Sequence, residues 1–254
     1  MLSVIIPIGG EDEKGRKRRN LDEMILCIEE QNYKDYEVII VEEVYKNKLY
    51  DDIKADKYIH VYNKGGYRNI SWTRNIGSNI SEGEKLLHLD ADLVFDKNYF
   101  KKIIDFKEKG FAAWDTCFRL NEKGFKDYIT IGLEKINKEN IDPREGLIIV
   151  PRVNFTAGFA NCFDREFFFK EFGGYNENYF GWGGEDNDAT LRFSTLLGKY
   201  HILPNCTIYH LPHGGRKTRK GNYKELQRTI KNPLEITNLL LKTKLGNIEG
   251  PKVV

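Results

Sequence analysis

Lys85-Leu-Leu-His-Leu-Asp-Ala-Asp92 is an apolar run that closes on two carboxylates. A short aliphatic stretch bounded by polar residues suits a buried strand of a parallel sheet. Read as a strand ending at Asp90-Ala-Asp92, it puts both carboxylates on one face, about 6 to 7 Å apart, because side chains alternate. Open α/β sheets hold ligands outside the carboxyl ends of their strands, and hard carboxylate oxygens select Mg²⁺ or Mn²⁺ over zinc. A chain with 38 acidic residues contains Asp-x-Asp by chance. Its place at a strand end is what gives this pair weight.

The surrounding sequence alternates in the same style. Leu2–Ile8, Tyr36–Val41 and Tyr58–Tyr62 read as further strands. Leu21, Met24, Ile25 and Ile28 recur at helical spacing behind Asn20, placed to cap that helix. Ser71–Ile80 reads as a second helix, and residues 98–109 as a third closed by Gly110. Such alternation predicts an α/β fold with a mostly parallel central sheet flanked by helices. Beyond it, Phe111–Leu120 reads as a strand and residues 120–151 carry few signals. Arg165–Phe172 is helical, Gly173–Gly184 is glycine-rich, and a helix runs from Glu185 to Leu197 before Gly198. Pro233–Leu245 predicts an amphipathic tail helix ending at Gly246.

Composition narrows the function. Lys and Arg number 40 against 38 Asp and Glu, a net charge of +2, which argues against coating nucleic acid. With 40% hydrophobic and 13% aromatic residues the chain can build a core. No window approaches the roughly 18 apolar residues of a membrane span, and Leu2–Ile8 lacks the flanks of a signal peptide. The four cysteines are dispersed without CxxC spacing, which predicts reduced, buried thiols and a cytoplasmic location. The tail helix can pack on the domain, mediate a dimer or rest on the inner membrane surface, with packing favoured.

Gly181-Trp-Gly-Gly-Glu-Asp-Asn-Asp188 is the more specific motif. Glycines let backbone approach a ligand closely, and an indole face suits a sugar ring. The acids then fall in a first helical turn, where complementing the helix dipole explains some of them. His210-Leu-Pro-His213 follows a strand-like run, and neutral imidazole joins carboxylates around Mn²⁺. Arg74, in Trp72-Thr-Arg-Asn-Ile-Gly77, can pair with a diphosphate or an aspartate. Basic residues also gather at 14–19 and 216–220, the first read as a solvated loop and the second as either a solvated loop or a lid over phosphates.

Taken in order, Val4-Ile-Ile-Pro7, Thr73-Arg-Asn-Ile-Gly77, Leu87-His-Leu-Asp-Ala-Asp92, Gly173-Gly-Tyr175 and Phe180–Asp188 resemble nucleotide-sugar-dependent glycosyltransferases of the GT-A (Rossmann-like) fold. The first half is similar to the inverting family 2. The second resembles the C-terminal region of the β-1,4-galactosyltransferases, polypeptide N-acetylgalactosaminyltransferases and chondroitin polymerases. The likeness implies a domain over 1–215, with a nucleotide-binding half (1–110) and an acceptor and catalytic half (111–215), followed by a basic loop and helical extension (216–254).

Carried over, the resemblance implies that Pro7, Ile8 and Glu42 border the base, where the family often has Asp in place of Glu42. Arg74 would hold the nucleotide, Asp90 would face the ribose and Asp92 would bind the metal. Trp182, Gly183 and Gly184 would line the sugars, Glu185 would hydrogen-bond sugar hydroxyls and Asp186 would be the general base. His210 is the favoured additional metal ligand, with His213 fitting a two-histidine variant. The implied activity is Mn²⁺- or Mg²⁺-dependent, inverting transfer of Gal, GalNAc, Glc or GlcNAc from a UDP-sugar to a saccharide or other hydroxyl. Two alternatives are a sugar-1-phosphate nucleotidyltransferase, which wants a better glycine-rich loop than Gly9-Gly10, and a non-catalytic carbohydrate-binding module.

Overall fold

The computed structural model describes residues 1–9, 16–44, 53–63, 67–142, 147–149, 158–213 and 220–252. Lys14, residues 154–157 and the basic loop at 214–219 lie outside the described residues. The first half alternates as β1 (Leu2–Gly9), α1 (Arg16–Glu29), β2 (Tyr36–Val44), β3 (Lys57–Tyr62), α2 (Ile70–Ile80) and β4 (Lys85–Leu89). Then come β5 (Leu93–Phe95), α3 (Tyr99–Asp105), β6 (Gly110–Ala112), β7 (Thr116–Arg119) and α4 (Glu122–Ile131). The rest is β8 (Leu147–Ile149), β9 (Ala160–Asp164), α5 (Arg165–Phe167, continued by a π turn to Phe172), α6 (Glu185–Leu197), β10 (Thr207–His210), α7 (Lys220–Lys231) and α8 (Pro233–Leu241).

The central sheet has the order β3-β2-β1-β4-β9-β6. β1 pairs in parallel with both β2 and β4, and β9 runs antiparallel to its neighbours. Both faces of β1 are covered, which is why it is apolar without a break from Val4 to Ile8: Val4, Ile6 and Ile8 join the cluster of Leu21, Met24 and Ile28 from α1, while Ile5 joins Trp72 and Ile76 of α2. Strand order reverses between β1 and β4, and an α/β sheet opens its ligand crevice at that point. A second sheet, β5-β10-β7-β8, stands beyond Asp92.

Several elements depart from the sequence expectation. Helix α1 begins at Arg16, so Asn20 is no cap; its side chain is buried and donates to the Pro212 carbonyl at 3.3 Å. Helix α3 ends at Asp105, and Gly110 opens β6, where a Cβ would press on Phe167 and Phe163. The strand expected over 111–120 breaks at Ala113–Asp115 into β6 and β7, one in each sheet. Helix α4, capped by Asn121, occupies part of the region without clear signals. At the tail, α8 stops at Leu241, and α7 stands where no helix was expected.

Helices α7 and α8 pack on α6, and α8 also on the turns at 168–172. Asp188 is central to that packing. Fully buried, it accepts from Arg192 Nε at 2.8 Å and from the Thr229 hydroxyl of α7. Arg192 donates in turn to the carbonyls of Phe172 and Gly174 at 2.9 and 2.8 Å. Asp188 therefore fastens helices, whereas its neighbours Glu185 and Asp186 turn elsewhere. The four cysteines are free and buried. Among the described residues no helix is long and apolar enough to cross a membrane.

Candidate active site

Arg74 ties the two halves together. Its guanidinium, 1% exposed, donates from Nη1 to Asp186 at 2.6 Å and from Nη2 to Asp90 at 3.0 Å. Helix α2 presents it at the carboxyl end of β4, and the Tyr175 ring lies 4.9 Å from its charge centre. Burial works against the charge, but Asp186, Tyr175 and Asp90 outweigh it and make Arg74 more basic than usual. Burial pushes the Asp90 carboxyl up, Arg74 opposes this, and Asp186 and Asp92 add to it.

The two aspartates of the Asp-x-Asp diverge. Strand β4 ends at Leu89 and residues 90–92 turn, so the expected same-face placement on a strand gives way. Asp90 faces Arg74, and Asp92 faces the histidines. The antiparallel pair β5–β10 sets His210 opposite Leu93, and Leu211 N donates to the Asp92 carbonyl at 2.8 Å. His213 Nε2 thereby comes within 3.2 Å of both His210 Nε2 and Asp92 Oδ2.

One ligand atom from each of Asp92, His210 and His213 lies within 4.8 Å of the others. Asp92 Oδ1 is buried with no hydrogen-bond partner among the described residues. Burial pulls His210 down to about 4 despite Asp92, so it is neutral at physiological pH, the ligating form. An oxygen and two imidazole nitrogens can hold a divalent ion such as Mn²⁺, and three protein ligands leave positions of its coordination shell open.

The Gly-Trp-Gly-Gly segment turns sharply before α6. Gly181, Gly183 and Gly184 have φ of 79°, 95° and 99°, and Trp182 is 50% exposed. Glu185 is buried, and its Oε2 has no partner among the described residues. Burial, then Asp186, raise the Glu185 carboxyl against the opposing pull of Arg74, which favours its protonated, hydrogen-bond-donating form. At the other side of the crevice, Pro7 and Ile8 are the last residues of β1 before Gly9 closes it. Arg68 bridges the two sides: its Nη2 donates to the Pro7 carbonyl at 3.1 Å, and its own carbonyl accepts from Gly181 N at 2.6 Å. Glu42 is fully buried, accepts from Tyr58 Oη at 2.6 Å and lies 2.8 Å from His60 Nδ1.

Of the remaining basic candidates, Arg18 pairs with Asp22 at 2.8 Å. Arg19 stacks on Phe125 at 4.0 Å and donates to the Pro212 carbonyl at 3.3 Å. Gly158 and Phe159 carried no sequence signal of their role. Phe159 sits at φ 34°, in the left-handed region that costs a non-glycine residue about 1 to 3 kcal/mol. Its carbonyl accepts from Asp90 N at 2.9 Å, and its ring packs 5.2 Å from those of Trp114 and His210.

The sequence profile described as glycosyl transferase family 2 matches residues 3–168, about two thirds of the chain. The chain belongs to glycosyl transferase family 2. A second profile, described as the N-terminal domain of galactosyltransferase, matches residues 155–214. A search of curated proteins finds no match. S. aureus TarS in complex with UDP-GlcNAc superposes with a TM-score of 0.58 at 14% identity, covering 94% of this chain and 70% of that one. GalNAc-T7 with UDP, GalNAc and Mn²⁺ gives a TM-score of 0.60 at 15% identity, covering 90% of this chain and 47% of that one. These likenesses establish the GT-A fold for this glycosyltransferase.

Gly158 offers a test of how tightly the enzyme's site is built. A Cβ at this position would overlap the Asp186 carboxylate. Gly158→Ala should displace that carboxylate and lower turnover about a hundredfold, the cost of roughly 1 Å of misplacement, with melting temperature changed by a few degrees at most. Turnover within threefold of wild type would show that the carboxylate's position is uncritical.

Proposed function

We propose that this glycosyltransferase moves Gal, GalNAc, Glc or GlcNAc from a UDP-sugar to a hydroxyl of a saccharide or related acceptor, with inversion and with a divalent metal. The observation that carries the reading is the buried Arg74 joining Asp90 to Asp186, beside the Asp92, His210 and His213 cluster. The ligands of the two structural neighbours, UDP-GlcNAc on TarS and UDP, GalNAc and Mn²⁺ on GalNAc-T7, support the choice of donor class and metal.

In this reading Pro7 and Ile8 border the base, with Glu42 acting from behind through Tyr58 and His60. Asp90 faces the ribose, and Arg74 offers its charge to the diphosphate. Asp92, His210 and His213 would hold Mn²⁺ or Mg²⁺, which when bound neutralises charge on the departing diphosphate. Trp182 stacks on a sugar ring while Gly183 and Gly184 let it come close, and protonated Glu185 donates to a sugar hydroxyl. Asp186 takes the proton of the acceptor hydroxyl as its oxygen bonds to the anomeric carbon. The bond from that carbon to the diphosphate oxygen breaks on the opposite face, and the electron pair leaves with UDP. One displacement needs no covalent carboxylate intermediate, so the configuration inverts.

Incubation with a panel of UDP-sugars and Mn²⁺ tests the reading without a known acceptor. Slow hydrolysis of one of them, abolished by EDTA, is expected. No hydrolysis of any donor, or pyrophosphate release from UTP and a sugar phosphate, would overturn it.

A further inference from the structure

Helix α2 is held in place from behind by the chain's own C-terminal segment. Gly246 N and Lys252 N donate to the two carboxylate oxygens of Glu177 at 2.7 and 2.6 Å. Trp72 Nε1, on α2, donates to the Asn247 carbonyl at 2.6 Å, and Asn79 Nδ2 donates to the Leu245 carbonyl at 2.9 Å. Residues 245–252, themselves distant in sequence from the catalytic motifs, thus form a strap across α2.

Glu177 is fully buried and relays that grip to the site. Its Oε1 also accepts from Asn75 Nδ2 at 2.9 Å, and its backbone carbonyl accepts from Asn69 Nδ2, the residue that caps α2, at 2.7 Å. The Asn75 side chain bonds both sides of Tyr175, donating to its carbonyl at 2.8 Å and accepting from its N at 2.9 Å. Tyr175 is the ring beside Arg74, and Asn75 follows Arg74 directly on α2. A buried carboxylate is costly unless its oxygens are satisfied, so Glu177 holds Asn75 and the strap together. The strap is tightly fitted: Gly246 has φ 66°, and a Cβ there would lie 2.8 Å from the Asn75 carbonyl oxygen.

We infer that Glu177 and the C-terminal strap are positioning elements of the active site: strap, Glu177, Asn75 and Tyr175 form one chain of contacts that fixes the Arg74 guanidinium for its diphosphate. The inference rests on the proposed role of Arg74. Full-length Glu177→Ala, Glu177→Gln, Gly246→Ala and Trp72→Phe proteins, with UDP and Mn²⁺ as the calorimetric probe, test it.

Glu177→Ala and Gly246→Ala should weaken UDP binding about tenfold or more while melting cooperatively. Glu177→Gln, which keeps an acceptor for Asn75 and Gly246, should recover most of the affinity, and Trp72→Phe should fall between. The deciding measurement repeats Glu177→Ala and Gly246→Ala in an Arg74→Ala background. A strap that acts through Arg74 should then change UDP affinity by less than about twofold, since the two changes share one path. Equal losses with and without Arg74, or wild-type affinity in both folded single variants, would overturn the inference. Wild-type UDP affinity in Arg74→Ala alone would instead overturn the proposed role of Arg74. If the alanine variants fail to fold, Trp72→Phe, which removes the bond to the Asn247 carbonyl, carries the same comparison with and without Arg74, and wild-type affinity in it counts against the inference.

Discussion

Asp186→Asn is expected to cut sugar transfer by about 10²- to 10⁴-fold, the range that general base catalysis contributes, and to leave UDP binding nearly intact. The substitution is nearly isosteric, and its amide oxygen can still accept the Arg74 Nη1 bond that is 2.6 Å long in the native protein. Arg74 also keeps Asp90 at 3.0 Å, so its buried charge is not stranded. What the variant lacks is a carboxylate able to take the acceptor proton. Asp186→Ala should differ, because it removes a partner from a fully buried guanidinium and costs stability as well as turnover. Comparing kcat and UDP affinity of the two variants separates the chemical role of Asp186 from its structural one. An Asp186→Asn enzyme with more than a tenth of wild-type turnover would rule out this residue as the base.

The contrast between Asp186 and Asp188 shows what sequence can and cannot say here. Both acids open α6 two residues apart, and both fit the same helix-dipole argument. Only tertiary packing separates them, sending Asp188 to Arg192 and Thr229 and Asp186 to Arg74. The central sheet was legible because strands buried on both faces carry unbroken apolar runs, Val4–Ile8 in β1 and Val38–Val41 in β2. The break at Ala113–Asp115 was hidden because β6 and β7 are only three and four residues long, and nothing local tells a residue which sheet it will join. Gly158 and Glu177 were invisible for a similar reason. Their meaning lies in what approaches them from 28 and from 75 residues away, respectively the Asp186 carboxylate and the Lys252 amide.

Asp92→Ala should abolish metal-dependent UDP binding, lowering apparent affinity in Mn²⁺ by more than about a hundredfold, above the 10- to 100-fold that losing an outer-shell partner costs. The Asp92 carboxylate is the only anionic member of the cluster, and its Oδ1 is buried without a hydrogen bond among the described residues. Without it, two adjacent imidazoles 3.2 Å apart must hold a cation unaided. His210→Ala should approach the same loss, since His210 is 9% exposed and held by β10 against β5. His213 is 37% exposed, so His213→Ala should cost less, about tenfold. Calorimetry with UDP in Mn²⁺ and in EDTA checks all three. The wild type should lose its affinity in EDTA, and Asp92→Ala should bind UDP equally weakly with or without the metal. If Asp92→Ala retains a Mn²⁺-dependent gain comparable to the wild type, the cluster is not the metal site, and Asp90 on the other side of the turn becomes the ligand to test.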